Sequence, residues 1–166
     1  MTAVKSKGAV NVENEAFTRA VVGMADTLYR VAATQLRQRA DQEDAVQEAL
    51  RRAWEKRHRL RDERYVQTWV IRILLNECHR MQRRMARTMP EEDIPAVHRD
   101  EDGKLKEALL QLEERYRVPI LLHYVEGYDI AETAAMLRIP QGTVKSRLAR
   151  GRKALKQLLD EEAFEE

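Results

Sequence analysis

The 166-residue chain has one cysteine, Cys78. That excludes an internal disulfide, and neither Cys78 nor the adjacent His79 belongs to a spaced pair of the kind that builds a tetrahedral zinc site. Six glycines, four prolines and 5% aromatic residues are too few for a sandwich or barrel of many short strands and tight turns. No run of about 20 apolar residues could span a bilayer, and no stretch has the form of a signal peptide. The expectation is a cytoplasmic protein without direct membrane insertion. The sequence also lacks a phosphate-cradling glycine loop, a metal-ligand spacing and a nucleophile motif, so neither an enzymatic activity, a cofactor nor a small-molecule substrate is expected. The net charge of +2 is too small to announce a nucleic-acid partner, because what matters is where the basic groups cluster.

Charged residues make up 35% of the chain and hydrophobic ones 43%. That balance favours solvent-facing helices over compact cores, and the expected class is all-α. Met1 to Val10 carry no helical period, and residues 1–14 read as a loose N-terminus. From there Phe17, Val21, Met24, Leu28, Val31 and Leu36 recur at three- and four-residue steps, with Leu36 one step off, as on one amphipathic helix. A second helix after Asp41 sets Ala45, Val46, Ala49, Leu50, Ala53 and Trp54 on one side. A third, from about Tyr65 to Arg84, is apolar at Val66, Trp69, Val70, Ile73 and Leu74 before turning basic. Residues 15–85 thus form a first helical domain. Between Ala86 and Gly103 the prolines, a glycine and many acids break the pattern, which places a linker at 86–103. Periodicity resumes at Leu105, Leu109 and Leu112 and continues to Leu159, with Pro119 interrupting. Residues 104–160 form a second domain, and an acidic tail at 161–166 is expected to fray.

The segment GYDIAETAAMLRIPQGTVKSRLARGRKALKQLL is the most specific part of the chain. Asp129 and Glu132 form a capping-box-like start, with Asp in place of the usual Ser or Thr. A short helix from Ile130 to Leu137 is followed by Arg138, Ile139 and Pro140, a connection long enough only for a sharp turn. Small Ala134 permits close approach of the two helices, and Leu137, Ile139, Val144 and Leu148 fill the wedge between them. No acid occurs from Arg138 through Leu159. An ordinary solvated face explains a run of cations, but not the cap, the turn and the missing acids together. The pattern is a helix-turn-helix whose second helix meets DNA. Lys145, Ser146 and Arg147 lie where base edges are reached, and the later Arg150 and Arg152 lie where phosphates are.

The other half decides which kind of DNA-binding protein this is. DQEDAVQEALRRAWEKRHRL (41–60) resembles region 2.2 of bacterial sigma factors, and YVQTWVIRILLNECHRMQRR (65–84) resembles regions 2.3 and 2.4. LEERYRVPILLHYVEGY stands in the place of region 4.1, and the helix-turn-helix resembles region 4.2. From about Phe17 to Leu159 the chain is similar to the extracytoplasmic-function type of RNA polymerase sigma factor, with a region 2 bundle and a region 4 helix-turn-helix joined by a flexible linker.

That resemblance implies core RNA polymerase as partner, through its β′ clamp and β flap, together with promoter DNA and an anti-sigma factor, in a stress or envelope response. It implies polymerase docking by Asp44, Gln47, Glu48 and Arg51, although helical spacing alone also fits an ordinary solvated face for these four. It implies minus-ten recognition by the loop containing Arg61 and Asp62 and by Asn76, His79, Arg80, Arg83 and Arg84. The minus-thirty-five element would fall to Thr143, Lys145, Ser146, Arg147, Arg150, Arg152 and Lys153. On position alone Asn76 could equally be a satisfied core amide, and Trp69 reads as core because it shares the apolar stripe with Val66 and Ile73. The sequence departs from the family pattern at His79, where an acid is frequent, at Arg138, which replaces a turn glycine, and at Glu113, which replaces a proline. Arg138 suggests a turn conformation that a non-glycine residue can adopt. A rival reading is a free-standing helix-turn-helix regulator, which would bind palindromic operators as a dimer without polymerase.

Overall fold

The computed structural model describes residues 7–88 and 101–164, with side chains for 14–88 and 103–160. Within these residues the chain is helical, without strands. The N-terminal half comprises α1 (Lys7–Gly23), α2 (Ala25–Gln35), α3 (Arg39–Lys56) and α4 (Val66–Thr88). The C-terminal half comprises α5 (Glu101–Gln111), α6 (Glu114–Ile120), α7 (Ile130–Leu137) and α8 (Gln141–Phe164).

The period-3.6 stripes seen in sequence are the buried ones. Leu28 and Val31 of α2, Ala45, Ala49 and Ala53 of α3, and Val70, Ile71, Leu74 and Cys78 of α4 are all fully buried. The alanine row on α3 lets α4 approach closely, and these two helices form the most extensive pairing of the half. Several boundaries differ from expectation. The stripe from Phe17 to Leu36 lies on two helices rather than one. The chain leaves helical geometry at Met24 (φ −109°, ψ 11°), directly after Gly23, where glycine makes a helix interior costly. Leu36 is the extended residue that ends α2 (φ −126°, ψ 134°), which accounts for its one-step offset from Val31. Residues 7–14 of the expected loose terminus belong to α1, α4 continues past Arg84 to Thr88, and α8 continues through the expected tail to Phe164. Of the expected linker, 86–88 end α4 and 101–103 begin α5, while 89–100 lie outside the described residues.

In the C-terminal half, Leu109, Leu112, Ile120, Ala134, Val144 and Leu148 form one apolar cluster. Pro119 sits inside α6, where its ring removes one backbone donor and displaces the preceding turn. Immediately after it the helix widens over Leu121–Val125, closing with Glu126 N–H on the Leu121 carbonyl at 3.0 Å. The two halves are packed against each other. Val118, Leu121, Leu122 and Met136 share a continuous core with the N-terminal half. Polar contacts cross the same boundary: Thr27 Oγ1 donates to Glu126 Oε2 at 2.6 Å, Arg30 Nη2 donates to the same oxygen at 3.0 Å, and Arg72 Nε donates to the Ala135 carbonyl at 2.7 Å.

Candidate nucleic-acid and polymerase interface

The helix-turn-helix is built as its sequence requires. Asp129 accepts from Glu132 N–H at 2.7 Å, and Glu132 Oε2 accepts from Asp129 N–H at 2.8 Å, a complete capping box that starts α7. At its other end Arg138 adopts φ 56°, ψ 44°, the left-handed conformation that glycine favours. Ile139 N–H closes on the Ala134 carbonyl at 3.1 Å, completing the C-cap. The turn is thus one that a non-glycine residue does adopt, in the left-handed region where glycine is favoured. Gly151 explains how α8 lies so close to α6: a Cβ there would meet Ile120 Cδ1 at 2.7 Å and Tyr116 Cβ at 3.1 Å.

On α8, Lys145, Ser146, Arg150, Arg152 and Lys153 are exposed, whereas Thr143 and Arg147 are half-buried. The Ser146 hydroxyl donates back to the Thr143 carbonyl at 3.0 Å. Arg152 lies over the Tyr124 ring at 5.9 Å. Val144 and Leu148, on the opposite face, are buried against α6 and α7, so packing itself turns the basic stripe outward.

The N-terminal half carries a second polar surface. Asp44, Gln47, Glu48 and Arg51 of α3 line one shallow groove of about 370 Å³ together with Glu77, Arg80, Met81 and Arg84 of α4. Glu48 accepts from Arg51 at 2.7 and 2.8 Å and from Arg52 at 2.7 Å, and these hydrogen bonds hold its carboxyl down to about 2. Asn76, Arg80, Arg83 and Arg84 are exposed along α4, so Asn76 is not a core amide. Arg61 is exposed on the loop before α4. Asp62, however, turns its carboxylate onto Arg64, accepting from its backbone N–H at 3.0 Å and from its guanidinium at 2.7 Å. Those bonds lower the Asp62 carboxyl below its ordinary range. Trp69 is half-buried with its ring at the edge of Phe17 (6.4 Å), in the core as expected. Trp54, expected on the apolar side, is 43% exposed beneath the Arg57 guanidinium at 3.8 Å.

His79 is separated from the other α4 residues by its partner. Its ring Nε2 hydrogen-bonds to Glu114 of α6, which raises the imidazole and lowers the carboxyl. His79, Glu113, Glu114, Arg115 and Arg147 line a groove of about 500 Å³ between the halves. Two residues escaped the sequence reading. Glu77 is an acid on an otherwise apolar stripe, 2% exposed, and its three-residue step to Arg80 was the available clue. Tyr65 follows the 61–64 loop and is 57% exposed, an aromatic face left uncovered beside it.

A capped helix-turn-helix with a basic outer face, joined to a helical bundle with its own basic edge, defines a two-part DNA-binding protein. The two halves match the sigma-70 region 2 model over residues 21–88 and the sigma-70 region 4 model over residues 102–155. The extracytoplasmic-function sigma factor SigM of Mycobacterium tuberculosis is 36% identical over 139 residues, covering 80% of this chain and 71% of that protein. SigW of Bacillus subtilis is 29% identical, covering 89% and 91% respectively. The solved structure of the Bartonella quintana sigma factor RpoE in complex with the anti-sigma factor NepR superposes with a TM-score of 0.75 at 27% identity, covering 87% of this chain and 96% of that one. The chain belongs to the extracytoplasmic-function family of RNA polymerase sigma factors, the proteins that give the polymerase its promoters.

Proposed function

We propose that this sigma factor reads promoters in two parts from separate surfaces. The outer face of α8, with Thr143, Lys145, Ser146, Arg147, Arg150, Arg152 and Lys153, grips duplex DNA at the minus-thirty-five element. The basic end of α4, with Asn76, His79, Arg80, Arg83 and Arg84, and the loop bearing Arg61 and Asp62 hold the melted minus-ten strand. Asp44, Gln47, Glu48 and Arg51 on α3 dock on the polymerase. The observation that carries this reading is the capped helix-turn-helix with an acid-free, outward-facing basic helix. Each DNA contact is weak and salt-dependent alone, so anchoring both on one enzyme raises their effective concentration. The phosphodiester chemistry belongs to the polymerase, and the protein acts in the cytoplasm, where that enzyme is.

The minus-ten role of His79 requires it to leave Glu114, so the two halves part when both elements are engaged. An anti-sigma factor is the natural antagonist, given the solved complexes of similar sigma factors, and an extracytoplasmic stress is the signal that would lift it. In-vitro transcription from a promoter library, with bacterial core polymerase and with or without the protein, tests the reading. Start sites that need the protein and share two spaced motifs are the expected result. DNA binding without any start from a compatible core enzyme would replace it with a free-standing regulator.

A further inference from the structure

Glu77 is the acid most deeply buried among the described residues of the N-terminal half, yet it lies in an exposed groove that Arg51, Arg80 and Arg84 line together with Asp44 and Glu48. Its two counter-ions come from different helices. Arg80 of α4 donates to Glu77 Oε1 from Nε at 2.9 Å and also from Nη2. Arg52 of α3 stands with Nε 3.5 Å from Oε2, while that nitrogen also holds Glu48 Oε1 at 2.7 Å. A buried ion pair is a weak source of stability, because desolvation offsets most of the attraction. What this one does achieve is geometric. The Arg80 side chain is 57% exposed, and Glu77 pins two of its nitrogens, Nε and Nη2, from below, which leaves Nη1 as the nitrogen of the planar fork that Glu77 does not engage.

We propose that Glu77 is a positioning residue for promoter binding: its carboxylate fixes the Arg80 guanidinium so that the open edge meets a backbone phosphate of the melted strand. The inference rests on the promoter-reading role proposed above for α4. Its sign separates it from a charge effect. Removing an acid beside a DNA-facing surface strengthens binding by electrostatics alone. Releasing the fork to sample many rotamers weakens it.

The test uses the full chain bound to core polymerase on a promoter whose minus-ten region is held open by mismatches, comparing wild type, Glu77→Gln, Arg80→Ala and the double variant. Glu77→Gln is expected to weaken bubble-promoter binding about three- to tenfold, Arg80→Ala at least as much, and the double variant no more than Arg80→Ala. Affinity for core polymerase is expected to stay at its wild-type value for Glu77→Gln, whereas Arg80→Ala, which strips the buried Glu77 carboxylate of its hydrogen-bonded partner, is expected to lower the thermal midpoint. If Arg80→Ala weakens binding while Glu77→Gln leaves it unchanged or tighter, the positioning role is overturned and the promoter-reading role of α4 stands. If Arg80→Ala has no effect, Arg80 makes no promoter contact and both fall. A loss of core affinity equal to the loss on the bubble places the effect in docking and overturns the proposal. Should Glu77→Gln fail to fold, Arg80→Lys carries the test, since it keeps the charge and loses the fork. A loss close to that of Arg80→Ala supports positioning, and wild-type binding overturns it.

Discussion

Arg138 holds a left-handed turn with a side chain that carries a Cβ. Left-handed geometry costs a residue with a Cβ about 1–2 kcal/mol, and Arg138 bears that cost at φ 56°. Glycine would remove it but raise the entropy of the unfolded chain by roughly 0.5–1 kcal/mol. Arg138→Gly is therefore expected to stabilise by about 0.5–1 kcal/mol, a rise of about 1–4 °C in thermal midpoint. An unchanged or lower midpoint in a melting experiment would mean that the Arg138 side chain contributes more than its exposed position shows. Cys78 is the opposite kind of residue. It is fully buried, and burial pushes its thiol up to about 12, so almost no thiolate exists to react. Alkylation at pH 8 is expected to leave the native protein unlabelled and to modify Cys78 only after denaturation, a difference that mass spectrometry reads directly.

At the scale of elements, the recognition helix owes its placement to Gly151 as much as to its apolar stripe. An alanine there gains roughly 1 kcal/mol of helix propensity. It also drives a methyl against Tyr116 Cβ, which cannot rotate away, and against Ile120 Cδ1. Overpacking of this kind costs about 1–3 kcal/mol, so Gly151→Ala is expected to destabilise by about 1 kcal/mol in urea unfolding. If the midpoint does not fall, Ile120 has swung clear and the close approach of α6 and α8 is not needed. α3 and α4 present the same logic in another form: the alanine face brings two helices together, and the charges on their shared edge then form one network of Glu48, Arg52, Glu77 and Arg80.

At the scale of the whole molecule, the packing of the two halves carries a pH dependence. His79 is raised above its ordinary 6.5 by its hydrogen bond to Glu114, so its contribution to the packed state is fully present below 6.5 and disappears as pH rises through the raised value. Glu114 is lowered below 4.5 by the same bond, so its contribution is present above 4.5 and disappears as pH falls through the lowered value. The pair therefore supports packing best between 4.5 and 6.5. Both side chains are about two-fifths exposed, and solvent screening limits the pair to at most about 1 kcal/mol. Energy transfer between dyes on α2 and α8 is expected to fall modestly as pH is raised from 6 to 9, and His79→Ala to be flat over that range. A wild-type response identical to that of His79→Ala would show that the His79–Glu114 pair contributes nothing to holding the halves together.

The amino-acid sequence by itself determined the helical class, the buried stripes of α3, α4 and α8, the limits of α7 and its capping box. These depend on contacts three or four residues apart, and such spacings are visible in one dimension. The outward set of α8 followed from the same arithmetic, because a buried Val144 and Leu148 leave the basic residues only one direction to face. The break at Met24 escaped that arithmetic, since a three- and four-residue rhythm continues across a bend. Only the tertiary structure decided which groups meet across long stretches of chain: His79 with Glu114, Arg30 with Glu126, and Glu77 with Arg52. The three-residue step from Glu77 to Arg80 is visible locally, but Arg52, which a second helix brings beside the other carboxylate oxygen, is encoded by no local spacing.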